Sequence, residues 1–127
     1  MFSHIMVGTD DVQVSKAFYD AVLGTLGIKP GMIDEQGRCF YMDQAGIFAV
    51  TPPLNGQTST CGNGSTIGFS AQSPEQVDAW HAAGVQHGGT TCEAPPGIRQ
   101  AGVGPLYLAY LRDPFGNKIC ALHRVQA

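Results

Sequence analysis

Two short stretches near opposite ends of the chain carry side chains able to do chemistry. Residues 3–9 read S-H-I-M-V-G-T, and residues 118–123 read K-I-C-A-L-H. Both alternate with a period of two, as a strand does, so His4, Met6 and Gly8 share one face and Ile5 and Val7 the other. In the second stretch Lys118, Cys120 and Leu122 share a face, against Ile119, Ala121 and His123. His4 can ligate a metal, act as a general base, hydrogen-bond within a pocket, or simply hold a structural partner. Cys120 can be a thiolate ligand or nucleophile, or a small apolar residue in the floor of a cavity, which is how buried cysteines usually behave. The alternation that aims His4 and Met6 to one side aims Cys120 likewise, so these strands are expected to line one cavity.

The remaining chemical inventory is thin. No glycine-rich phosphate loop, no G-x-S-x-G and no paired catalytic carboxylates occur. Arg38 and Arg99 can meet an anion, although surface arginines need no such role. His81 and His87 fall on or just after a solvent-facing helix, and Asp113 reads as a turn cap. The 127 residues are 43% hydrophobic and 13% charged, with a net charge of −3. That is the size and composition of one globular domain, 1–127. Without a basic run, nucleic acid and anionic membrane are poor partners. No apolar run approaches the roughly 18 residues of a membrane span, and the start lacks a secretory pattern. Cys39, Cys61, Cys92 and Cys120 form no C-x-x-C pair and read as free thiols in a reducing cytoplasm.

The elements that must position these residues repeat. Residues 2–9 form a strand, Asp10 or Asp11 caps a helix, and Val14, Ala17, Phe18, Ala21 and Val22 make its apolar stripe before Gly24 and Gly27 end it. Residues 31–35, 38–42 and 47–51 follow as a three-stranded meander. Residues 52–64, rich in Pro, Gly, Thr and Asn, are the linker between a first module at about 1–55 and a second at about 65–127. Residues 65–71 form a strand. Ser73-Pro74-Glu75-Gln76 starts a helix as N-cap, N1 proline and capping box, with Val77, Trp80, Gly84 and Val85 as its buried stripe. Residues 90–104 resist assignment. Asp113-Pro114-Phe115-Gly116-Asn117 then joins two β-prone runs as a hairpin. An offset of 62 lays Thr66-Ile67-Gly68-Phe69 over His4-Ile5-Met6-Val7, Ala79 over Ala17 and Trp80 over Phe18. A duplicated strand–helix–strands unit implies an α+β protein of two βαβββ modules, with a curved mixed sheet and helices outside.

S-H-I-M-V-G-T-D-D with K-A-F-Y-D-A-V-L-G, N-G-S-T-I-G-F, and D-P-F-G-N-K-I-C-A-L, in this order and spacing, resemble the vicinal oxygen chelate superfamily. That group holds glyoxalase I, extradiol dioxygenases and the fosfomycin and bleomycin resistance proteins. The resemblance implies a cup-shaped sheet, commonly completed in a homodimer. In metal-using members a divalent ion is held there by His, His and Glu. His4 matches the first ligand. Thr66 stands where the second would be and Cys120 where the third would be, while the additional glyoxalase I ligand falls near Ala49 or Val50. Imidazole, hydroxyl and thiol make a poor set for a divalent ion, zinc being the exception to watch. Relatives of the fosfomycin type place a substrate-contacting tyrosine where Tyr110 stands. The pocket expected on this basis is lined by His4, Met6, Thr66, Tyr110 and Cys120.

Three functions fit. One is a binding protein for an unknown small molecule, with this cup and no metal or other cofactor, which the missing ligands favour. The alternative is a metal-dependent lyase or dioxygenase of the glyoxalase type, acting on a small metabolite. In the third the cup is filled by side chains and another surface meets a partner.

Overall fold

The computed structural model describes residues 1–126. The first unit runs β1 (His4–Gly8), α1 (Val12–Gly24), β2 (Met32–Ile33), β3 (Cys39–Asp43) and β4 (Gly46–Thr51). The second runs β5 (Ile67–Ser70), α2 (Pro74–Gln86), β6 (Thr90–Thr91), β7 (Gly97–Ala101), β8 (Gly104–Arg112) and β9 (Lys118–Arg124). The fold is α+β, with two mixed sheets ordered β1-β4-β3-β2 and β5-β9-β8-β6, and β7 added on β8. The repeat holds in detail. Val12 and Pro74 open the helices and Gly24 and Gln86 close them, each pair 62 residues apart. In both sheets the first strand lies parallel to the last, Ile5 beside Phe48 and Ile67 beside Ile119.

The stretch at 90–104 departs from the plain repeat. Thr90 and Thr91 pair with Arg112 and Leu111, while Gly97–Ala101 pairs with Leu108–Gly104 along the same edge of β8. One strand position is thus filled by two pieces. Residues 92–96 are left out of the ladder, and two consecutive prolines there lack amide donors.

Helix starts follow the sequence. Asp11 caps α1, accepting from the Gln13 and Val14 amides, and Ser73 caps α2, accepting from Gln76 N. The Gln76 side chain closes the box one residue early, on the Gln72 amide at 2.8 Å. The buried stripe of α1 is Ser15, Phe18, Tyr19, Val22 and Leu23, and Val14 is exposed instead. Polar partners inside turn the helix this way: Ser15 Oγ donates to Thr9 Oγ1 at 2.7 Å, and the Tyr19 hydroxyl donates to Asp113 Oδ2 at 2.7 Å. On α2, Val77, Trp80 and Gly84 are buried and Val85 is exposed.

Helix-side residues of both sheets, among them Tyr41, Phe48, Val50, Ala109, Leu111, Ile119 and Ala121, join Phe18, Tyr19, Val77 and Trp80 in one core. Phe48 and Phe69 meet across the units edge to face, 5.2 Å between centroids. Among the described residues, no helix is long and apolar enough to cross a membrane.

One polar cluster sits at the rim of this core. Asp20 accepts from Lys16 Nζ at 2.7 Å, from the Gly31 amide at 2.9 Å and from the Tyr41 hydroxyl at 2.8 Å. Burial opposes the charged carboxylate, but the Lys16, Gly31 and Tyr41 bonds outweigh it and hold Asp20 below its ordinary value of 3.8. A depressed folded-state value stabilises the fold above the unfolded value, and that stability is lost as pH falls through the folded one. Asp20→Asn should therefore flatten the fall in melting temperature between about pH 4 and pH 2, measured by circular dichroism. A variant that melts in parallel with the parent through this window would remove Asp20 from the acid response.

Candidate functional site

The expected alternation holds on both first strands. Core residues Val7, Phe48 and Val50 face α1, so His4, Met6 and Gly8 lie on the opposite, outer face with Ile47, Ala49 and Thr51 beside them. Phe40, Met42 and Met32 continue that face on β3 and β2. Met6, Met42 and Met32 are exposed there, and the face is an apolar wall in which methionine predominates. Flexible thioethers of this kind adapt to varied shapes.

On the second sheet Cys120 stands between Gly68 of β5 and Tyr110 of β8. The room beside it comes from Gly68, where an added Cβ would lie 3.1 Å from the Cys120 sulfur. Leu108 and Leu122 are paired next along this face. The structure therefore sets Tyr110 and Cys120 side by side. Thr66, exposed immediately before β5, occupies the position that His4 holds in the first unit, and His4 and Met6 belong to the other sheet.

Burial pushes the Cys120 thiol up to about 11, so near neutral pH it is a protonated, weakly nucleophilic thiol. Burial, then Cys120 and Glu93, raise the Tyr110 phenol above its ordinary range, leaving it a hydrogen-bond donor. His4 is exposed, its Nδ1 2.8 Å from Ser3 Oγ. Neither His81, with Nε2 3.1 Å from Thr91 Oγ1, nor His87, with Nδ1 2.8 Å from Ala83 O, approaches this face. Arg38 is held by Thr51 and Gln36.

The donor set is a poor fit for the divalent ion that the fold implies. It comprises one imidazole, one hydroxyl that stays protonated and one thiol, with His4 on the first sheet and Cys120 on the second, which is short of the hard and borderline donors such an ion needs. Among the described residues, no group of three or more His, Cys, Asp or Glu side chains is placed to hold a metal.

Two residues that the sequence did not single out stand beside Tyr110. Lys118 Nζ lies 5.0 Å from the Tyr110 ring centroid and is ion-paired with Glu93. Lys118 was legible in principle, since it shares a face with Cys120. Glu93 was not, because it arrives from the irregular segment 92–96. The chain also holds a separate cavity of about 370 Å³ between the units, walled by Ile5, Leu26, Phe48, Ile67 and Phe69. It is lined by none of the five residues expected to form the pocket.

A profile of the Glyoxalase/Bleomycin resistance protein/Dioxygenase superfamily matches residues 1–121. The chain belongs to this superfamily. A glyoxalase/bleomycin resistance protein from Albidiferax ferrireducens T118 is similar at 68% identity and a TM-score of 0.95, over 98% of this chain and 99% of that one. At 20% identity and a TM-score of 0.74, a family enzyme from Burkholderia phytofirmans PsJN covers 97% of this chain and 98% of its own. A lactoylglutathione lyase from Agrobacterium tumefaciens, 17% identical with a TM-score of 0.66, covers 97% and 92%. The last two establish likeness of fold alone. No curated protein matches the chain.

Proposed function

We propose that this superfamily member is a small-molecule-binding protein that works on the outer faces of its sheets without the usual metal. What supports the reading most is the composition of those faces. Met6, Phe40, Met42, Leu108, Cys120 and Leu122 supply apolar wall, and His4, Thr66 and Tyr110 supply a few hydrogen-bonding tips. Apolar walls with sparse polar groups are the ordinary make-up of a ligand site. The same apolar exposure, together with the free edges of β1 and β5, supports a homodimer in which two chains cover these faces by the same patch on each. The four free thiols fit a reducing compartment such as the cytoplasm.

Native mass spectrometry of protein purified without added metal tests this in one measurement. The expected species is two chains, each 13.4 kDa, carrying a retained small molecule and no stoichiometric divalent metal. A single chain, or a dimer holding one divalent ion per chain that is lost on His4→Ala, would overturn the proposal.

A further inference from the structure

The outer face of the second sheet is cationic. Arg99 and Arg124 both flank Leu106 in register, and Arg112 lies opposite Lys118, so all four share the face of Tyr110 and Cys120. They are four of the seven basic residues of a chain whose net charge is −3, and the strands bring no carboxylate to that face.

The carboxylate that does reach it comes from outside the sheet. Glu93, in the segment 92–96 between β6 and β7, is ion-paired with Lys118. It does so at φ 57°, and among the described residues it is the one non-glycine residue with positive φ. In that left-handed region a Cβ crowds its own backbone. Arg99 Nη2 donates to Ala94 O at 3.0 Å and Pro95 O at 2.8 Å, pinning the chain just beyond Glu93. A strained residue is thus held with its carboxylate on the ammonium that lies over Tyr110.

We propose that this face binds a small molecule bearing one carboxylate, with Lys118 as its anchor, Tyr110 and Cys120 beneath its apolar body, and Glu93 as an internal stand-in that the ligand displaces. This rests on the reading of the outer face as the binding site and names its ligand class. Exchanging one carboxylate for another keeps Lys118 paired throughout. Glu93, whose side chain is 46% exposed, is released to water with little desolvation to undo. Arg99, Arg112 and Arg124 stay behind as a field that favours an incoming anion. A neutral ligand has no means of replacing Glu93 on Lys118.

Isothermal titration of the full chain with benzoate and its neutral isostere benzamide tests the proposal in the parent, Glu93→Gln and Lys118→Met. With the stand-in neutralised, benzoate should bind Glu93→Gln about tenfold more tightly than the parent. Benzoate binding should be lost in Lys118→Met, and benzamide should bind all three alike. Equal benzoate affinity for the parent and Glu93→Gln overturns the proposal, as does undiminished affinity in Lys118→Met. Should Lys118→Met fail to fold, the comparison of Glu93→Gln with the parent decides alone. If benzamide perturbs the Tyr110 and Cys120 amide resonances while benzoate shows no dependence on Glu93, the carboxylate class is wrong and the site reading stands. If neither probe perturbs them, both fall.

Discussion

Asp113→Ala should lower the unfolding free energy by about 3–5 kcal/mol, because it strips partners from several buried groups at once. Asp113 is 3% exposed. It accepts from the Tyr19 hydroxyl at 2.7 Å, from Asn117 Nδ2 at 2.9 Å, and from the amides of Phe115 and Asn117 at 2.9 and 3.0 Å. Asn117 Nδ2 also donates to Gly8 O at 2.9 Å. One carboxyl thus shapes the β8–β9 turn, fastens it to α1, and holds through Asn117 the end of the strand that carries His4 and Met6. Alanine leaves the wholly buried Tyr19 hydroxyl without an acceptor, and each such orphan costs about 1–3 kcal/mol. Burial and then the Asp113 contact push the Tyr19 phenol well up, so it remains a donor with nothing to donate to. Asp113→Asn keeps an acceptor oxygen and should lose about half as much. Tyr19→Phe combined with Asp113→Ala should cost clearly less than the two losses added, since each removes the other's partner. Urea unfolding of the parent, Asp113→Ala, Asp113→Asn, Tyr19→Phe and the double variant decides the matter. Strict additivity would show that the hydroxyl and carboxyl do not act as one unit.

The hub illustrates what the sequence could and could not reveal. Asp-Pro-Phe-Gly-Asn announces a turn through local chemistry alone, and the turn is there, with Gly116 at φ 91°. That Asp113 also receives a hydroxyl from 94 positions earlier has no local signal, because periodicity reports which face of an element is apolar and not which polar group finds a partner across the core. The rotation of α1 has the same origin. Val14 and Ala17 continue a plausible stripe, and the bonds made by Ser15 and Tyr19 override it. Strand alternation grouped His4 with Met6, and Cys120 with Lys118 and Leu122, because a period of two leaves no third orientation; that the two groups stand on different sheets is a matter of strand pairing, which alternation does not report. Residues 90–104 stayed unreadable because their edge position is filled by two short pieces around a Pro-Pro interruption. Glu93, carried by that interruption, was therefore hidden along with its ion pair to Lys118.

Gly84→Ala should destabilise the chain by about 1–3 kcal/mol, although alanine is the better helix former by about 1 kcal/mol. Gly84 lies inside α2 where the two helices pass. A Cβ there would run into Leu111 and would stand 3.2 Å from Val22 Cγ1 and 3.4 Å from Phe18 Cε1. Leu111, Val22 and Phe18 are all fully buried, so none can swing into solvent, and a close-packed interior resists even one added methyl. Relief has to come from a shift of α2 against α1. Because α1 rides on the first sheet and α2 on the second, that shift also changes how the outer face of His4 and Met6 stands relative to that of Tyr110 and Cys120. Leu111→Ala alone should cost about 2–5 kcal/mol as a cavity. In the double variant the alanine methyl enters that space, so Gly84→Ala should become neutral or stabilising in the Leu111→Ala background, a coupling of about 1–3 kcal/mol. Thermal melts of the four proteins give this coupling directly. An unchanged penalty in the Leu111→Ala background would mean that the helix crossing is set by something other than the volume reserved at Gly84.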